Sequence, residues 1–437
     1  MSHVRAYRSP ETHRILLDPA FPYREELLQF IWEQRLFDTR GLRTVDGAEV
    51  MVVCPGRIQQ GSGPDLVDAR IRIAGQLWSG TVEVHVRSSE WFAHGHATDP
   101  AYGSVVLHVA YLHDADVRLQ GGRVIPAVEL LDRIPRAQLE RYQRLMQEKA
   151  WVPCASMLGQ VDPARISLWL ERLMVDRLER KAREVLQLHT ALQADPLETL
   201  WVLIARALGS KANTEPFTQL ARALPLKVLL KYRDDPVRVQ ALVHGQAGLW
   251  PPKVDAAHLR TLIAEHTLLA SMHGLRPLDP GQWRSGGVRP AAAPVQRIAQ
   301  LAALLPRWEE VVHALLHAED PSDALRALTR PGNEPDAPSA LGSTGALHLL
   351  INAVVPYLFA MGRHTGRPHL EARALRWLER LPAEANGILR RWQRLGIRAD
   401  SAARGQALLE LKNNWCGQRR CLSCVIGTCI LKGGGTA

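Results

Sequence analysis

Apolar and polar positions follow two different periods along this chain, and the change from one to the other divides it. Over residues 24–37, Leu27, Leu28, Ile31, Leu36 and Phe37 recur at helical spacing behind an acidic start, which predicts an amphipathic helix. From there to about Leu130 the runs shorten and fill with Val and Ile. Residues 49–54, 66–73, 78–86 and 104–112 predict strands, with turn residues at Asp46-Gly47, 61–64 and Ala74-Gly75 between them. Gln120-Gly121-Gly122, between 117–119 and 124–130, predicts a further hairpin. The order is helix, three strands, a short connection opening at Ser88-Ser89, then more strands.

From residue 136 onward the period is that of helices. In 166–188, Ile166, Trp169, Leu170, Leu173, Met174, Leu178 and Val185 form one stripe, while Arg165, Arg172, Arg180 and Arg183 lie mostly off it. Similar segments lie near 196–208, 215–231, 257–272, 294–304, 307–316, 345–361, 370–380 and 384–394, with no fixed spacing that suggests a solenoid. The most apolar run, 347–362, is interrupted by His348, Asn352 and Pro356. It falls short of the roughly 20 residues a membrane span needs, so a buried helix and no membrane partner are expected. Two Pro/Gly/Ser-rich breaks, 275–294 and 329–343, read as surface connections, the second as a linker. The fold class expected is α+β: a mixed α/β domain over 1–135, an all-helical domain over 136–410 and a Cys-rich segment over 411–437.

With 437 residues, 46% of them hydrophobic, the chain can bury one large core or two ordinary ones. Residues 1–10 are polar and mixed, without a charged-then-apolar leader, and a cytoplasmic location is expected. The formal net charge of +10 is uneven: residues 1–150 carry 18 basic and 19 acidic side chains, residues 151–437 carry 36 and 25. A basic surplus in the helical part favours a polyanionic partner, nucleic acid above all, through phosphate contacts and counterion release. The competing reading is a set of solvated arginine-rich helix faces.

Candidate chemistry begins at Gly63-Pro64-Asp65, followed eighteen residues later by Glu83-Val84-His85, both acids at strand positions. Two carboxylates converging from neighbouring strands suit a hard divalent cation such as Mg2+ or Mn2+. Element order and residues resemble the PD-(D/E)XK nuclease fold. That resemblance implies Asp65 as first acid, Glu83 as second, His85 in the place usually held by lysine, and Glu26, with Glu33 behind it, as the extra acid of the first helix. It covers about residues 20–115 and implies a metal-dependent nuclease, and histidine in the lysine position departs from the pattern. The plain alternative is a structural sheet with two edge acids. His94-Gly95-His96, with Asp99 three further on, can ligate zinc if the backbone is extended there, or can line the cleft and contact phosphate. Asp99 before Pro100 also reads as a helix N-cap. The glycine-rich run 56–63 lacks the ending of a phosphate-binding loop.

Cys416, Cys421, Cys424 and Cys429 fall within fourteen residues as C-x4-C-x2-C-x4-C. In a reducing compartment, zinc or an iron–sulfur cluster explains such a group better than disulfides. Flanking Lys412, Arg419, Arg420 and Lys432 are expected to lower the thiol pKa values. Cys154 stands as an alternative fourth ligand to Cys429, an arrangement similar to the cysteine staple of some iron–sulfur exonucleases. Cys54 reads as a buried core residue.

Nearly the whole chain resembles a bacterial family classed as domain of unknown function 2851. The residues that carry the likeness are 26–32, Gly63-Pro64-Asp65, 78–85, His94-Gly95-His96, Leu107-His108-Val109, 245–249, Arg289-Pro290 with Pro294 and Arg297, and Cys416 with 421–424. The resemblance implies no activity, so function rests on the site. Two readings stand: a metal-dependent nuclease acting on DNA or RNA, and a non-catalytic nucleic-acid-binding or scaffold protein with a degenerate nuclease-like domain and a structural zinc or iron–sulfur site.

Overall fold

The first amphipathic run forms helix α1 (Glu25–Glu33), which buries Leu27, Leu28, Phe30, Ile31 and Trp32 and carries Glu25 and Glu26 in its first turn, where the helix dipole favours them. The computed structural model describes residues 21–59, 61–252, 254–287, 293–331 and 341–433. Residues 1–10, Arg289-Pro290 and most of the 329–343 linker lie outside them.

The strand-rich region folds as β1 (Val50–Cys54), β2 (Arg57–Ile58), β3 (Leu66–Ile73), β4 (Gln76–Arg87), β5 (Val105–Leu112) and β6 (Ala127–Glu129), with helix α2 (Glu90–Ala93) between β4 and β5. They form one six-stranded sheet in the order β1-β3-β4-β5-β6, with β2 pairing β3. β1 pairs antiparallel with β3, and β3 with β4 through the short turn Ala74-Gly75. The β4–β5 and β5–β6 pairs are parallel, as longer crossovers allow. β5 is buried from Val105 to Tyr111, as a strand covered on both faces should be. Gly80 lets it enter close beside β4: a Cβ there would lie 2.4 Å from the Ser104 carbonyl oxygen. Of the expected 117–130 hairpin, the Arg118–Val124 bridge forms, but Ala127–Glu129 continues into the sheet parallel to β5. Cys54 is only half-buried, because β1 lies at the sheet edge.

The chain divides into two compact units, one comprising residues up to Ile166 together with Trp415 onward, the other Ser167–Asn414. The sequence reading set its boundaries at 135/136 and 410/411. Helix α3 (Arg136–Gln147) buries Tyr142 and Leu145 within the first unit, and the C-terminal helix Val425–Leu431 buries Ile426, Ile430 and Leu431 there. The Cys-rich segment from Trp415 onward is thus part of the sheet-bearing unit and is partly helical.

The second unit is helical, beginning within the long helix α4 (Pro163–Ala191) and followed by α5 (Pro196–Leu208). Asp195, Asp235 and Asp320 cap helices there, each followed by a proline in the first turn. The run 343–365 is helical and apolar enough to cross a membrane by length and composition, and its most apolar window is 83% buried inside the unit. A π turn at Leu350–Val354 interrupts it.

Candidate metal centre

Antiparallel pairing of β3 with β4 sets Leu66 opposite Val82, so Asp65, just before β3, lies next to Glu83. The Asp65 amide donates to Glu83 Oε2 at 2.9 Å and the Val84 amide donates to Asp65 Oδ2 at 3.0 Å. Each acid thus accepts from a backbone amide at or beside the other. Glu83 and His85 alternate onto one face of β4 and are 4% and 1% exposed. A register shift after Thr81 aligns Glu83 with His108 on β5, whose Nε2 lies 2.9 Å from His85 Nδ1.

The connection after β4 supplies two more imidazoles. Helix α2 anchors on the fully buried Trp91 and ends at His94. Gly95 then takes a left-handed φ of +76°, which glycine adopts without steric cost, so the pair meets through a reversal of the chain instead of extended backbone. His85 Nε2 lies 3.2 Å from His94 Nδ1, and Glu83 Oε1 lies 3.7 Å from His85 Nε2 and 3.3 Å from His96 Nε2. The ligating atoms of His85, His94 and His96 all fall within 4.8 Å of one another. Bonds of about 2.1 Å to one tetrahedral ion imply donor–donor edges of about 3.4 Å, so the three imidazoles can share a metal ion, with Glu83 beside two of them. His85 can offer Nε2 while its Nδ1–H donates to His108, the outer contact that commonly fixes a ligating histidine. His94 is exposed, which leaves the centre open to solvent on that side.

Burial dominates the electrostatics. It pushes Glu83 up to about 9, with the Asp65 charge adding to it, and Asp65 up to about 6. It drives His85 down to about 2 and His108 to about 3, with neighbouring imidazoles adding to the effect, and lowers His96. Glu83, which holds its proton, beside imidazoles that release theirs gives donors that a cation can take up with proton release.

Glu26, the expected helix acid, is exposed. Its neighbour Glu25 lies nearer the sheet: it accepts from the Val86 amide, and burial together with the charges of Asp65 and Glu90 raises it to about 8. Gln29 donates to Glu25 at 3.4 Å. Glu25 shares a helix face with Leu28, three residues on, and that phase was the signal available in the sequence. Glu33 accepts from the Ile58 amide at 2.9 Å and serves the β2 connection. Asp99 does not join the cluster: it caps the turn Pro100–Ser104 by accepting from the Ala101 amide. His108 was not singled out by the strand pattern, and only the paired register reveals it.

The cysteines gather at a second place in the same unit. Cys154, Cys421 and Cys424 are buried neighbours; burial and the adjoining thiols push Cys154 up to about 12, and Cys421 likewise to about 12. Burial thus outweighs the basic flank. Arg419 is the smaller, lowering influence on Cys421 and donates to the carbonyls of Met146 and Glu148, while Arg420 lies over the Trp415 ring at 4.4 Å. Cys429 accepts from Arg165 at 3.5 Å. Cys154 thus lies within electrostatic reach of Cys421 and Cys424, far along the chain from it.

No curated protein and no solved structure matches the chain. A family model described as protein of unknown function (DUF2851) matches residues 25–387, from the first acid of α1 through the helical unit, and the chain belongs to that family.

Proposed function

We propose that the sheet-bearing unit is a divalent-metal-dependent phosphodiesterase acting on DNA or RNA. The observation that carries this reading is the approach of Glu83 Oε1 to the His85 and His96 ring nitrogens, 3.7 and 3.3 Å away, beside Asp65. The strand order, with β3 running against β1 and β4 while β4, β5 and β6 run together, supports likeness to the PD-(D/E)XK core. So does the placing of the acids on β3 and β4. The surplus of basic residues over 151–437 supports a polyanionic substrate.

Nitrogen-rich donors favour Mn2+ or Zn2+ over Mg2+, which narrows the metal expected from the acids alone. When bound, such an ion polarises a phosphoryl oxygen and makes a water acidic enough to attack. His85, His94 and His96 would hold it, with Glu83 beside His85 and His96. Asp65, its carboxylate held by the Val84 amide and by Gln29, would accept the proton of an attacking water. Full-length protein should cleave single- or double-stranded DNA or RNA only with added Mn2+ or Zn2+, and Asp65→Asn or Glu83→Gln should abolish cleavage without unfolding the chain. Absence of cleavage across all four substrates and both metals would overturn the enzymatic reading.

One observation favours a second reading, a non-catalytic nucleic-acid-binding or scaffold protein. Both acids accept from backbone amides of the sheet, Glu83 from Asp65 and Asp65 from Val84, as carboxylates with a structural role do. Stoichiometric metal and salt-sensitive nucleic-acid binding without cleavage would be its signature.

A further inference from the structure

The helical unit contains a polar cavity that the phosphodiesterase reading does not use. About 300 Å3 in volume, it lies among α4, α5 and the 343–365 helix. Arg177, Arg180 and Lys181 reach it from successive positions of α4, Arg206 from the end of α5, and Asn352 from the π turn. π turns cost regular hydrogen bonding and recur at functional sites; here the turn carries Asn352, whose side-chain oxygen accepts from Lys181 at 2.9 Å.

The acids around the cavity are already engaged. Glu410 accepts from both Arg177 and Arg180, at 3.2 and 2.8 Å, and from Asn414 at 2.6 Å. Glu384 accepts from Gln406 at 2.9 Å and from Asn352 at 3.2 Å, and pairs with His348 at 2.6 Å. Glu184 is shared between Arg180 at 3.3 Å and Arg206 at 3.6 Å. The cations retain donors beyond these pairs. Arg180 Nε is buried without a partner, and Asn352 is the single hydrogen-bond acceptor of Lys181 among the described residues. Burial, with the charge of Arg177 adding to it, lowers Lys181 to about 7 against the opposing charges of Glu384 and Glu184.

We propose that this cavity binds a terminal phosphate group, whether inorganic phosphate or a phosphate monoester. Several cationic donors around one small volume match a doubly charged tetrahedral anion with three or four acceptor oxygens better than a singly charged carboxylate. Val185, Leu203, Ala207 and Pro356 form an apolar part of the lining, which gives an organic portion of a monoester a surface to lie on.

The test uses full-length protein carrying Glu83→Gln, in the presence of a chelator, so that the metal centre takes no part. Calorimetry with inorganic phosphate and with a 5′-mononucleotide, at constant ionic strength, should show saturable binding of at least one. Arg206→Gln, at a half-exposed position, should weaken it by about tenfold, as expected for loss of a charge-assisted contact, and Lys181→Gln should weaken it further. Equal affinity for the two probes supports a phosphate-only site, and tighter nucleotide binding supports an organic phosphate. No binding of either at millimolar concentration, or binding unchanged in both folded variants, overturns the proposal. If Lys181→Gln does not fold, Arg206→Gln alone decides.

Discussion

The phenol ring of Tyr102 lies over the imidazole of His96, with centroids 3.9 Å apart and planes 24° from parallel. Tyr102 belongs to the turn that Asp99 caps, and Trp91 meets both rings edge-on. This aromatic packing holds His96 against Glu83, so the turn is a positioning device for the centre. Tyr102→Phe should leave metal affinity near that of the native chain. Tyr102→Leu, which keeps apolar bulk but loses the stacked face, should weaken it by about 10-fold, the lower range for outer contacts of a metal site. Calorimetric titration with Zn2+ reads both, and equal affinities would remove the ring from any positioning role.

The acids of α1 offer a direct comparison. Glu25 faces Asp65 and Glu83, whereas Glu26 is exposed. Glu25→Gln should lower metal affinity and any phosphodiester cleavage, while Glu26→Gln should leave both within error of the native protein. A loss confined to Glu26→Gln would mean that the helix is rotated relative to the sheet in solution.

Much of this centre was legible in the sequence, and its gaps have identifiable causes. Asp65, Glu83 and His85 stand out because polar residues interrupt apolar strands, and the sheet brings them together. His94 and His96 stand out as a pair, but their joint approach depends on the left-handed Gly95, whose conformation spacing alone does not reveal. His108 pairs with Glu83 only through a register shift in a parallel ladder, a tertiary relation with no local signal. In the helical unit, Pro236–Ala247 escaped the periodicity reading because Ala241–Ala247 is buried all round, leaving no polar face for contrast. The expected 215–231 helix breaks at Leu224-Pro225 into Thr214–Ala223 and Leu226–Leu229, because the residue before a proline is driven away from helical geometry.

The cysteines divide into two roles that their spacing left undecided. Cys154, Cys421 and Cys424 influence one another directly, whereas Cys429 accepts from Arg165. Cys154→Ser should therefore deplete bound zinc or iron from protein purified anaerobically, and Cys429→Ser should retain it. Elemental analysis with an absorption spectrum distinguishes zinc from a cluster. Metal content that follows Cys429 and ignores Cys154 would reverse the assignment.

Acid should loosen the helical unit through His244. This residue is 1% exposed, its Nδ1 lies 2.7 Å from the Leu249 carbonyl, and burial lowers it from 6.5 to about 4. Between those values the unfolded chain binds the proton and the folded chain does not, so stability rises with pH across the interval. The contribution is fully present above about 6.5 and disappears as pH falls toward 4. A shift of this size corresponds to about 3 kcal/mol. His266, also lowered by burial, packs against Gly245 and adds in the same direction. Denaturant unfolding followed from pH 7 to pH 4 should show the helical transition move to lower denaturant. In His244→Gln, which cannot take up the proton, the pH slope should shrink by up to one proton even if overall stability is reduced. An unchanged slope would place the acid sensitivity elsewhere, since a residue that no longer titrates cannot contribute to it.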